Sequence, residues 1–310
     1  MTAIAGDPGE NRAFYTETLG LRFVKRTVNF DDVGAYHLYY GDEVGSPGTA
    51  LTFFPFEGAR EGRIGAGQTG ATAFVVPEGS IDYWVDRFEE RGVDHDAPEE
   101  RFGERVLGFR DHDGQPLELI EGEADDGLRP WTEEVPKEYA LHGFHGVTLL
   151  SADPEATGRV FETMGYEKRE ERHSADRSDR IRYRAPGDRA AVVDLVGGSE
   201  RGAQGVGTVH HVAFRTPDDE SQEMWRERLT EAGLRVTEVK NRQYFRSIYF
   251  REPGGVLFEI ATDRPGFTRD EAVEELGEEL KLPPWLENDR EAIASELPEI
   301  DADVTEVAGR

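Results

Sequence analysis

Thr208-Val209-His210-His211-Val212-Ala213-Phe214 and Gly254-Gly255-Val256-Leu257-Phe258-Glu259-Ile260 open and close the stretch 207–263, on which the reading of the chain turns. Both segments are rich in β-branched and aromatic residues and are bounded by Gly and Pro, the pattern of strands. Alternation puts Val209, His211 and Ala213 on one face of the first strand, and Leu257, Glu259 and Ala261 on one face of the second. A carboxylate inside Val-Leu-Phe-Glu-Ile is costly to bury unpaired. A histidine and a glutamate on neighbouring strands are two ligands for a divalent metal. Two His and one carboxylate with open positions is the set that suits oxygen-activating iron(II). The competing reading is plainer: a hydrogen-bonded core histidine and a glutamate on a solvated face.

The chain has 310 residues, enough for two compact domains. No apolar run approaches the length of a membrane-spanning helix, and the N-terminus lacks the basic and apolar regions of a secretory signal. A cytoplasmic location is expected. There is no cysteine, so disulfides and thiolate chemistry are excluded. The formal net charge is −28, from 64 acidic against 36 basic residues, spread along the whole chain. Phosphate would be repelled, so nucleic acid is not an expected partner. Lys25, Lys137, Lys168, Lys240 and Lys281 are the only lysines. A dispersed acidic surface with few lysines points to a halophilic protein, since salt screens the self-repulsion. A merely acidic mesophilic protein is the alternative.

A repeat organises the chain. Each copy is a short strand, an amphipathic helix and several strands, over residues 1–56, 70–121, 143–197 and 207–263. Asp7-Pro8 and Asp153-Pro154 start the helices of copies one and three, as N-cap and first helical residue. In copy two, Ile81, Trp84, Val85 and Phe88 fall at helical spacing. In copy four, Met224, Trp225 and Leu229 are expected in the core. His37, in an aromatic strand, is expected in the core or a pocket wall, while His95 and His112 lie beside turns and are expected to be solvated. The charged run 169–184 suggests a solvent-facing hairpin. Glu118 holds in copy two the place of Glu259 in copy four, without a histidine on its opening strand. It is read as a relic or a structural group. The Pro- and charge-rich stretch 129–140 is the expected linker. It separates a two-module domain, 1–128, from a second, 141–263, with a tail, 264–310, that packs back on the body and frays from about Asp301.

Several segments resemble the vicinal-oxygen-chelate superfamily, and more closely its ring-cleaving hydroquinone dioxygenases. They are Ala3-Ile4-Ala5-Gly6-Asp7-Pro8, Tyr36-His37-Leu38-Tyr39-Tyr40-Gly41-Asp42, Gly45-Ser46-Pro47-Gly48-Thr49, His210-His211-Val212-Ala213-Phe214-Arg215, Pro253-Gly254-Gly255-Val256-Leu257-Phe258-Glu259 and Leu282-Pro283-Pro284-Trp285-Leu286. The resemblance implies an α+β fold of four βαβββ modules, forming paired curled sheets around a metal site. It implies Fe(II), or Mn(II), on two histidines and a glutamate. His211 and Glu259 match two of these ligands. The third is the second histidine of a His-His-Ile-Thr stretch, which falls one position ahead of Met1. A later assigned start, a shortened chain or a lost ligand would each explain this. His145 is a weaker substitute: aligning Asp153-Pro154 with Asp7-Pro8 puts Thr148 on Thr2 and Gly146, not His145, on the ligand position. Arg242 and Tyr249 match a pocket arginine and tyrosine, His210 the residue beside the second ligand, and Thr2 a threonine near the first. Alternation aims His210 away from His211.

The function so implied is extradiol-type cleavage of hydroquinone- or catechol-like aromatics, with the aromatic compound and O2 as small-molecule partners. Arg242 and Tyr249 would steer protons and anionic oxygens. The alternatives are a glyoxalase-like metal isomerase and a metal-free small-molecule binding protein of the same superfamily. A membrane partner is not expected, and a homo-oligomer is left open.

Overall fold

The computed structural model describes residues 1–123, 127–172, 179–187, 190–198 and 200–300. Residues 173–178 of the charged run and the acidic stretch from Asp301 lie outside them.

Module one is β1 (Thr2–Ala5), α1 (Pro8–Ala13) running on as a π-helical segment (Phe14–Thr18), β2 (Arg22–Asn29), β3 (Asp32–Gly41) and β4 (Leu51–Pro55). Module two is β5 (Gln68–Val76), α2 (Ile81–Arg91), β6 (Glu99–Arg101), β7 (Glu104–Arg110) and β8 (Pro116–Glu121). Module three is β9 (Phe144–Ser151), α3 (Pro154–Thr163), β10 (Glu167–Arg172), β11 (Arg180–Arg184) and β12 (Val192–Gly197). Module four is β13 (Thr208–Thr216), α4 (Asp219–Glu231), β14 (Lys240–Asn241), β15 (Arg246–Arg251) and β16 (Leu257–Thr262). The caps work as the sequence suggests: Asp7 accepts from the Gly9 and Glu10 amides at 2.8 Å, and Asp153 from the Ala156 amide at 3.0 Å.

Two eight-stranded sheets result, in the orders β14-β15-β16-β13-β1-β4-β3-β2 and β10-β11-β12-β9-β5-β8-β7-β6. Within each module the first strand runs parallel to the last, because the helix crosses over between them. Modules then join through their first strands, β1 antiparallel to β13 and β5 antiparallel to β9. Neither sheet is therefore built from one half of the chain: the first joins modules one and four, the second modules two and three.

Strand alternation divides the first sheet into two faces. Ala3, Ala5, Leu38, Tyr40, Phe53, Val212, Phe258 and Ile260 belong to a buried core shared by all four modules. Full burial of the Leu, Val, Ile and Phe side chains among them is worth roughly 1.5–3 kcal/mol each. Thr2, Ile4, His37, Tyr39, Thr52, Phe54, His211, Ala213, Leu257 and Glu259 line a cavity on the concave face.

Several sequence expectations are corrected. Met224 is 58% exposed, because α4 turns it outward and anchors through Leu229. Arg182, in the charged run, is buried, held by Asp194 and Glu104. His112 is largely enclosed, 3.2 Å from Asp113 and against the rings of Phe14 and Tyr15. The tail folds over module one. Lys25 is fully buried with Asp270, at 2.7 Å, and Glu271, and Leu282 and Ile293 pack on Val28.

Candidate active site

β16 lies between β13 and β15, and Glu259 faces Ala213 on one side and Tyr249 on the other. Its carboxylate reaches His211, with Oε2 2.9 Å from Nε2. The Tyr249 hydroxyl donates to Glu259 Oε1 at 2.7 Å. Arg242 donates through Nε to the Tyr249 oxygen at 3.1 Å, with its guanidinium carbon 5.3 Å from the ring centroid. Its Nη2 donates to Asp31 Oδ2 at 2.8 Å. His211 is 5% exposed and Glu259 3%. Burial by itself would raise the Glu259 carboxyl. The charge on His211 and hydrogen bonds from His211 and Tyr249 outweigh it and hold the carboxyl at about 2. Burial, and then the Glu259 charge, push the Tyr249 phenol upward, so it remains a donor.

His210 does not point away from His211. The two rings meet, Nδ1 to Nδ1, at 2.8 Å, and both line the cavity. The cause is a β-bulge. Thr2 pairs with His211 but Ala3 pairs with Val209, so two residues of β13 oppose one step of β1. The bulge resets the period. Val209 belongs to the core and not to the His211 face, while Ala213 keeps to the cavity.

Thr2 lies directly beside His211 on β1, but its hydroxyl is engaged with Thr52 Oγ1 at 2.8 Å. Thr52 in turn lies 2.8 Å from His37 Nε2, and Tyr39 Oη 2.8 Å from His37 Nδ1. Burial, followed by the nearby His211 charge, pushes His37 well below the usual histidine range. It is a neutral wall residue. The cavity has a volume of about 1610 Å³, with Phe54, Phe56, Tyr244 and Phe267 among its walls. Asp31, which completes the row of side chains behind Glu259, was not singled out from sequence. It sits in the β2–β3 turn, and nothing local marks its partner 211 residues away.

The second sheet repeats this backbone with different chemistry. Ala71 pairs with Thr148 as His211 pairs with Thr2, and a bulge at Gly70 matches the one at His210. Thr148 is thus the counterpart of Thr2, which puts Gly146 and not His145 at the equivalent of the position ahead of Met1. A Cβ on Gly146 would lie 2.2 Å from the Val192 carbonyl oxygen, so no side chain fits there. His145 instead binds Glu104 at 2.9 Å, in the other sheet from His211. Glu118 holds the place of Glu259 but is gripped by Arg101 through two hydrogen bonds, of 2.9 and 2.5 Å. It is a structural ion pair.

The Glyoxalase/Bleomycin resistance protein/Dioxygenase superfamily model matches residues 1–119 and 143–260. The chain belongs to that superfamily. Among members, it is 48% identical to the Bacillus subtilis (strain 168) protein MhqO, whose name assigns it provisionally to the ring-cleaving dioxygenases, over 96% of this chain and 94% of that protein. It is 37% identical to the chlorohydroquinone/hydroquinone 1,2-dioxygenase of Sphingobium indicum, over 93% of this chain and 91% of the other. A crystal structure of a protein from B. subtilis subsp. subtilis str. 168, described provisionally as a dioxygenase, superposes with a TM-score of 0.91 at 47% identity, covering 97% and 96% of the two chains. Glyoxalase I of Zea mays, at 18% identity and a TM-score of 0.62 over 84% of this chain and 90% of its own, shares the fold.

Membership of this superfamily, alongside dioxygenase relatives, implies a metal cofactor. The donor chemistry fits one: an imidazole nitrogen and an ionised carboxylate converge at 2.9 Å on the wall of a cavity. Among the described residues, no group of three His, Cys, Asp or Glu side chains assembles, so the pair would supply two protein donors.

Proposed function

We propose that this chain is a ring-cleaving dioxygenase of the extradiol type, acting on hydroquinone- or catechol-like aromatics. His211 and Glu259 would hold its metal, Fe(II) or Mn(II). The observation that carries the reading is the buried His211–Glu259 pair, backed in line by Tyr249 and Arg242 at the wall of an aromatic-lined cavity. The ring-cleaving names of the relatives supply the reaction class. When bound, a divalent metal supplies acidity to a coordinated hydroxyl and a meeting point for the ring and O2.

The residues of the chain do the rest. Phe54 and Phe56 offer an apolar wall that shields the ring from water. Tyr249 fixes the orientation of Glu259 by donating to the oxygen that does not face His211. Arg242 stays charged and makes no hydrogen bond through Nη1 to a described residue, which leaves that group for an anionic substrate oxygen. His210 braces the His211 ring through Nδ1, and Thr2 helps fix the floor of the site through Thr52. Comparing turnover of hydroquinone in air and under oxygen-free conditions tests the reaction class. An isomerase would be indifferent to oxygen, and a binding protein would convert nothing.

A further inference from the structure

The first sheet is a half-barrel, and the tail bridges one of its edges at Arg26 and Leu280. Its outermost strands are β14 and β2, at opposite ends of the strand order. They meet through side chains. Asp31, in the turn after β2, binds Arg242, just past β14, at 2.8 Å, and lies 3.7 Å from Lys240 on β14. Asn29, Phe30, Asp31, Lys240 and Arg242 all border the cavity. An ion pair therefore closes the ring that hydrogen-bonded strands leave open.

The same pair lies one side chain, Tyr249, away from Glu259. Arg242 and Lys240 both border the cavity here, and both face the carboxylate of Asp31. The hydrogen bond from Arg242, opposed by partial burial, draws Asp31 below the usual carboxylate range, so it is ionised at neutral pH. With Nη2 held by Asp31 and Nε by Tyr249, the guanidinium has one orientation. It can donate a hydrogen bond to a phenolate oxygen. It is poorly suited to a carboxylate, which would have to compete with Asp31 for the planar fork.

We infer that Asp31 is a positioning and specificity residue: it fixes Arg242 over Tyr249 and selects quinols without an acidic substituent over aromatic carboxylates. The inference rests on the site reading above, in which Arg242 faces the substrate. It goes beyond that reading by naming a residue that holds Arg242 and discriminates among such aromatics.

The test is a pair of binding titrations, run without oxygen on the metal-loaded protein, with hydroquinone and 2,5-dihydroxybenzoate as probes. Wild type should bind hydroquinone more tightly. Asp31→Asn removes the charge at a turn position whose side chain is 59% exposed, so the fold is not at stake. It should shift the affinity ratio toward 2,5-dihydroxybenzoate by about tenfold, as expected for freeing one arginine fork. Asp31→Glu should keep the wild-type ratio. A merely structural role for Asp31 would weaken both probes together. An unchanged ratio in Asp31→Asn, or equal loss of both, overturns the inference. Binding is read apart from turnover, so wild type that bound hydroquinone without opening its ring would defeat the dioxygenase reading and leave this one standing.

Discussion

Glu259 and Glu118 occupy the same strand position in the two sheets, and their surroundings differ. Glu259 looks across 2.9 Å at His211, where Glu118 has Ala71 and is clasped by Arg101. The fold builds the same curled cradle twice and fills one of them with ion pairs. Chemistry follows the side chains on the cradle, not the cradle itself.

The row Glu259–Tyr249–Arg242 makes the first prediction. Tyr249→Phe removes one hydroxyl and leaves His211 and Glu259 in place. Metal content should be unchanged and kcat should fall by about tenfold, the scale of a lost donor near the reacting atoms. Loss of metal in the same variant would show that Tyr249 acts by holding Glu259 and not by serving the reacting atoms.

Much of this site was legible in the sequence because side-chain period in a strand is two. Glu259, Leu257 and Ala261 fell on the cavity face as alternation required. His210 was misread because the bulge opposite β1 breaks that period, and a bulge made of ordinary residues leaves no mark in one sequence. Asp31 was missed for another reason: its contact with Arg242 spans 211 residues and depends on how far the sheet curls. The pairing of module one with four, and two with three, also lay beyond a reading of local pattern, since each module has the same strand–helix–strand form.

Strand geometry makes a second prediction. Thr2 faces the cavity beside His211, and a residue one position ahead of Met1 would alternate onto the same face. Adding His-His ahead of Met1 should therefore tighten Fe(II) binding by at least about tenfold, since a third donor joins His211 and Glu259. Equal affinity with and without the addition, by anaerobic metal titration, would remove that position from the ligand set.

Acid stability is predicted from the second sheet. Burial would raise the Glu104 carboxyl, but His145 and Arg182 hold it at about 2, against an ordinary 4.5. A carboxyl lowered on folding contributes stability above its unfolded value and loses it as pH falls through the folded one. The contribution of Glu104 should thus be whole above about pH 4.5 and fade toward pH 2. Melting temperature against pH should fall less steeply over that window in Glu104→Gln than in wild type. Parallel curves would assign the acid limb to other groups.

A fourth prediction concerns salt. With a net charge of −28, like charges crowd the surface at low ionic strength. Screening shortens their reach to about 3 Å in molar salt, so melting temperature should rise by several degrees from dilute buffer to molar KCl. A melting temperature indifferent to KCl would reject the halophilic reading.

The central claim is that His211 and Glu259 hold the metal that cleaves an aromatic ring. Oxygen uptake on hydroquinone and catechol, with metal content determined on the same iron-loaded samples, tests it most directly. Wild type should consume one O2 per ring opened. Glu259→Gln, which keeps the shape and removes the anionic donor, should lose bound iron and at least about a hundredfold in activity. Iron-loaded wild type that consumed no oxygen with either substrate, or Glu259→Gln that kept both iron and turnover, would contradict the account.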